Sequence, residues 1–264
     1  MTIFDRTLQY HFVVFTAAAP PDRPLPDLAP TLEAPVPAVE GLGLKLRPTT
    51  QAQFSFTQGG ATVASQSQSW TSASGLWRFS WTPERIDVVF NARGYADVRE
   101  TDVPSQDLVR KRVVGNLLAA CKVAGQHVIR VAAIVTADSS CRDRSVQEVV
   151  ASLFLNEEAQ RAAEKGMAVD LMARTNLQEK WPFKGPDGAS RALLVNRLQS
   201  ATAVGILLGD AFDTYLSVQI DVNTAANVDL GSTLDGAELS AFFERAVTWT
   251  NERLKAFEGA ACRQ

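Results

Sequence analysis

The sequence predicts an α+β protein made of two antiparallel β-meanders, each closed by an amphipathic helix. Three observations predict it. Short runs alternate apolar and polar side chains, as in Trp77-Arg-Phe-Ser-Trp and Leu216 to Asn223, which is the period of a half-buried strand. Turn-forming groups such as Gly59-Gly60 and Thr82-Pro83-Glu84 separate those runs. Two longer stretches, 105–122 and 235–257, instead repeat apolar residues at helical spacing.

The elements follow in chain order. Residues 8–17, LQYHFVVFTA, are rich in β-branched and aromatic types and read as a strand. Seven of the 12 prolines then fall between Pro20 and Pro37. Proline cannot donate to a ladder, so 18–40 reads as a long excursion over the surface. Its PxxP content suits an aromatic groove on a partner. The interspersed Leu25, Leu28, Leu32 and Val36 suit a belt lying on its own domain.

Residues 43–48 and 52–95 read as the first meander, with turns at Gly59-Gly60, at 72–75 and at 82–84. Trp77, Phe79 and Trp81 alternate with Arg78 and Ser80, which places the tryptophans in the core. Ser105 caps a helix to about residue 122, with Val109, Val113, Leu117 and Cys121 on its buried stripe.

The second half opens with a strand at 127–137. Ser145 with Glu148 forms a capping box for a helix over 145–165. Residues 167–175 read as a strand. Residues 176–190, with Trp181-Pro182 and two glycines, read as loop. The second meander occupies 191–199, 203–208 and 214–223. Asp235 with Glu238 caps the closing helix, whose stripe is Leu239, Phe243, Ala246, Thr250, Leu254 and Phe257.

The boundary falls near 125, giving halves 1–125 and 126–264, the second carrying the 145–165 helix as an insertion. The halves echo one another. A run from His11, HFVVFTA, opens the first half and a run from His127, HVIRVAAIVTA, opens the second, and an Ile-Asp-Val triplet recurs at 86–88 and 220–222. The shared element order fits a tandem duplication with a pseudo-twofold arrangement. Two such units side by side make a continuous curved sheet whose second face is solvated or open to a partner.

Length and composition bound the function. A chain of 264 residues buries enough surface to need no metal or disulfide. The apolar fraction is 46% and the charged fraction 21%, as in globular proteins. A formal charge of −3, from 26 basic and 29 acidic residues, excludes a uniformly basic nucleic-acid wrapper. Three scattered cysteines, at 121, 141 and 262, point to a reducing compartment. Asp5 and Arg6 interrupt any leader-like apolar run, and no uncharged apolar stretch approaches 18 residues. A cytoplasmic protein without a membrane span is expected.

The sequence carries no concentrated set of catalytic types. Ser217, Gln219, Asp221 and Asn223 make one strand face polar while Leu216, Val218, Ile220 and Val222 make the other apolar. That polar row suits partner binding, and equally an ordinary solvated face. A carboxylate-centred enzyme site near Asp221 is the first rival. Arg110, Lys111 and Arg112, with Lys122 and Arg130, form a basic cluster that suits phosphate contact, the second rival. The stretch 221–229 lacks the glycine and glutamate of a calcium loop. Asp210 and Asp213 suit a turn better than a magnesium site. Cys121 and His127 lack an orienting third residue. Gly41-Leu-Gly43 lacks the third glycine of a dinucleotide fingerprint. No metal and no cofactor is therefore expected. The expected role is a non-enzymatic interaction or scaffold protein whose partner is another protein. Open sheet edges also allow a homo-oligomer.

Trp77-Arg-Phe-Ser, Ile86-Asp-Val-Val-Phe, Gln219-Ile-Asp-Val-Asn-Thr and the closing Leu254-Lys-Ala-Phe resemble a sporadic family of uncharacterised bacterial proteins. The resemblance covers pattern and order over most of the chain. It implies a similar α+β build and brings no activity or catalytic residues.

Overall fold

The computed structural model describes residues 6–17, 46–57, 60–72, 75–82, 84–92, 110, 127–139, 145–152, 161, 165, 172–184, 190–208, 211–225 and 233–261. Nine strands form one antiparallel sheet: β1 (Arg6–Thr16), β2 (Leu46–Thr57), β3 (Gly60–Ser72), β4 (Trp77–Thr82), β5 (Arg85–Asn91), β6 (Val128–Ser139), β7 (Met172–Lys184), β8 (Ser190–Leu208) and β9 (Ala211–Thr224). Their order is β2-β3-β4-β5-β1-β6-β9-β8-β7. Two helices are described, α1 (Val146–Ser152) and α2 (Gly236–Ala261).

This corrects the expected fold. The described chain is a single sheet, not two meanders each closed by its own helix. The first strand of each half is the reason. Tyr10 to Val14 on β1 pair with Val131 to Val135 on β6, so the two halves share a central hydrogen-bonded ladder. Left apart, β1 and β6 would each present an apolar, unpaired edge; pairing satisfies both. One core then spans the halves. Phe12, Val14, Trp77, Phe79 and Trp81 from the first half join Val131, Trp181, Val195 and Val222 from the second beneath Phe242 and Phe243 of α2. Aromatic contacts bridge it: Phe12 meets Phe243 edge-on at 5.5 Å, Phe243 meets Phe242 at 5.4 Å, and Phe242 meets Trp181 at 5.8 Å. The first-half closing helix, 105–122, lies outside the described residues except for Arg110, as does the 18–40 excursion.

Local rules explain the elements. Thr57 pairs with Gly60 and Thr82 with Arg85, closing two tight hairpins. Gly75 holds φ 75° between β3 and β4, a left-handed position that a Cβ would disfavour. Trp77, Phe79 and Trp81 are buried, as their spacing predicts. Both predicted caps form. The Glu148 amide donates to Ser145 Oγ at 3.1 Å, opening α1. The Glu238 amide donates to Asp235 Oδ1 at 2.8 Å and the Asp235 amide to Glu238 Oε2 at 3.0 Å, a reciprocal box. Arg191 pairs with the buried Glu238 carboxylate and donates to the Thr233 carbonyl, tying β8 to the start of α2.

Two local expectations fail. Residues 176–184 are strand, not loop: Trp181 and Phe183 alternate into the core, and Pro182 is tolerated because β7 is an edge strand. Residues 191–199 and 203–208 are one strand of 19 residues, β8, with no break between them. Among the described residues no helix is long and apolar enough to cross a membrane.

Candidate functional site

Strand alternation sends Phe12, Val14, Val131, Ala133 and Val222 toward α2 and their neighbours toward the opposite face. On that opposite face the register sets three rows of side chains. Arg85, Phe15 and Arg130 lie abreast in the first. Asp87, Val13, Ala132, Asn223, Asn196 and Gln178 form the second. Val89, His11, Ile134, Asp221 and Leu198 form the third.

Two polar clusters arise from these rows. In the first, His11 Nε2 lies 2.5 Å from Asp87 Oδ1. Arg85 donates to the same oxygen through Nε at 2.8 Å and Nη2 at 2.5 Å. With Nε2 as donor to Asp87, the His11 Nδ1 is left without a partner among the described residues. Burial alone would raise the Asp87 carboxyl, but the hydrogen bonds and charges of His11 and Arg85 outweigh it and hold Asp87 below the usual carboxylate value.

The second cluster runs across β6 to β7. Asn223 is its hub. Its Oδ1 accepts from Arg130 Nη2 and from Asn196 Nδ2, each at 3.1 Å, and its Nδ2 donates to Asp221 Oδ1 at 2.9 Å. Gln178 Nε2 donates to Asn196 Oδ1 at 2.8 Å, and Arg130 Nε donates to the Thr224 carbonyl at 2.9 Å. Burial pushes the Asp221 carboxyl above its usual value, with Asn223, Arg130 and His11 offsetting only part of the rise. Phe15 joins the clusters, with the Arg85 and Arg130 guanidinium carbons 5.4 and 5.0 Å from its ring centre. Asp87 and Asp221 stand three strand spacings apart, about 14 Å between backbones, so they do not share a proton.

The four residues singled out on the sequence lie together on this face, in unequal settings. Ser217 and Asn223 are buried, Asp221 is half-buried and Gln219 is exposed. The face is not bare: Val13, Val89, Ala132, Thr136 and Asp138 on it are buried too. Of the basic cluster, Arg110 is described, half-buried and helical, whereas Lys111 and Arg112 lie outside the described residues. So does Cys121; His127 is exposed at the start of β6. No group of three or more His, Cys, Asp or Glu side chains is arranged to hold a metal among the described residues.

The sequence reading missed His11 as a site residue. A strand pairing 76 residues apart brings it to Asp87, and only the alternation of His11 with Phe12 and of Asp87 with Ile86 and Val88 hints that both leave the core on the same side.

No family model matches the chain, and no curated protein matches it. Among solved structures, the di-domain ARO/CYC StfQ from the steffimycin biosynthetic pathway is similar over 96% of this chain and 97% of that one, at 10% identity and a TM-score of 0.19. A likeness of that size carries no argument about fold or activity.

Proposed function

We propose that the protein works by recognition, using the sheet face opposite α2 to bind another protein. The observation that supports the reading is the amide network centred on Asn223. Gln178, Asn196, Asn223, Asp221 and Arg130 fix one another's orientations across four adjacent strands. A polar surface locked before contact loses little side-chain entropy on binding. Gln219 is exposed beside it, Asp221 is half-buried, and Arg130 brings a cation to the same patch.

The test is native mass spectrometry of the protein taken gently from its host, as wild type and as Gln219→Trp. Gln219 is exposed, so the bulky variant keeps its fold. A stoichiometric protein companion on the wild type that the variant loses is the expected result. A bare wild type, or a companion held equally by both, overturns the reading.

One observation favours a second reading, a carboxylate-centred enzyme. Burial pushes the Asp221 carboxyl up in a half-buried setting on the polar face of β9, the kind of environment that keeps a carboxyl protonated as an acid, whereas Asp87 lies three strands away and does not act with it. A small molecule retained in place of a protein, and lost in Asp221→Asn, supports this reading instead.

A further inference from the structure

On the other side of the sheet, an open groove of about 270 Å³ lies between β7, β8 and the last turns of α2, lined by Ala173, Arg174, Thr175, Gln199, Arg253, Ala256 and Phe257. We propose that this groove binds a small organic carboxylate, its charged end on Arg253, with Arg174 on the edge strand adding positive charge at the rim, and its apolar body against Phe257, Ala256 and Ala173. The proposal is independent of the sheet-face reading.

The charge pattern carries it. Five arginines lie on β7, β8 and α2. Arg191 is paired with Glu238, and Arg197 and Arg245 share Glu179. Arg174 and Arg253 have no carboxylate partner among the described residues, and these two line the groove, whose lining holds no acid. The exception sits where a ligand fits.

Arg253 is also held ready. Its Nε donates to Gln199 Oε1 at 3.1 Å, and its guanidinium lies 5.9 Å from the Trp249 ring centre. Anchoring through Nε leaves both Nη groups for a ligand. A planar guanidinium so placed matches a carboxylate bidentately, which an ammonium cannot do. The Thr175 hydroxyl supplies a further donor at the rim. The remaining lining is apolar, which favours a carboxylate attached to an aliphatic or aromatic body over a bare inorganic anion.

Trp249 reports occupancy, because it touches the guanidinium that the ligand engages. The full chain is titrated with benzoate and, in parallel, with benzamide, which has the same shape without the charge. Benzoate is expected to give a saturable tryptophan signal in the millimolar range, as suits a fragment of this size. Trp249→Phe is expected to remove the signal. Arg253→Gln is expected to weaken binding at least tenfold, Arg253→Lys to restore only part of it, and Arg174→Gln to weaken it severalfold. Circular dichroism confirms that each variant is folded. The proposal is overturned by no saturation up to about 20 mM, by equal binding of benzamide, or by unchanged affinity in folded Arg253→Gln.

Discussion

Replacing Asp87 with Asn gives the sharpest test of the site's electrostatics. The Asp87 side chain is 12% exposed, and one oxygen receives His11 Nε2 and two Arg85 nitrogens. Breaking a fully buried charged pair costs about 3–5 kcal/mol. Here the Arg85 side chain is 41% exposed and recovers much of its hydration when its partner is neutralised. The expected loss at neutral pH is therefore smaller, about 2 kcal/mol, or roughly 4–8 °C in melting temperature for a chain of this size. The pH dependence carries the mechanism. The folded pKa of Asp87 is depressed, so its stabilisation is fully present above the ordinary carboxylate value of 3.8 and is lost as pH falls through the folded value. Urea unfolding of wild type and Asp87→Asn at about pH 7, 5 and 3 reads it out: the gap in midpoint is wide at the first two and narrows at the last. A gap that stays constant or widens on acidification refutes the assignment of Asp87 as the charged acceptor of His11 and Arg85.

Asp221 is expected to behave with the opposite sign. Its folded pKa is raised, so its favourable contribution is present below the ordinary value and lost as pH rises through the folded value; Asp221→Asn should therefore match or exceed wild-type thermal stability at pH 7, with an advantage that shrinks toward pH 4. Glu238 is both half of the capping box and the buried partner of Arg191, so Glu238→Ala should cost about 3 kcal/mol by chemical unfolding, whereas Glu238→Gln keeps an acceptor for the Asp235 amide and should cost less.

Local features were readable in the sequence and long-range ones were not. The Asp235–Glu238 and Ser145–Glu148 caps, the buried Trp77, Phe79 and Trp81, and the tight turn before Arg85 each depend on residues a few positions apart, and each formed. A continuous sheet is expected from the sequence, but its seam, β1 meeting β6 across more than a hundred residues, and the single core under α2 are encoded by no local pattern. Trp181-Pro182 misled for a related reason. Proline marks a break in most strands, and it is harmless here only because β7 lies at the sheet edge, a fact of topology. The site divides the same way. The polar face of β9 follows from alternation within one strand, whereas the pairing of His11 with Asp87 needs β1 beside β5.

The central position of β1 fixes the order of assembly during synthesis. β1 leaves the ribosome before both of its neighbours: β5 ends at Asn91 and β6 ends at Ser139. The helix that covers their shared core ends at Ala261. That apolar strand must therefore wait for β6 before it has both partners, and for α2 before it is covered. Contacts of such long sequence separation fold slowly, because loop closure precedes the burial that rewards it. Until α2 is made, the nascent first half carries Phe12, Val14 and Trp77 without its cover, and that interval is when the chain is most exposed to aggregation and most in need of a chaperone.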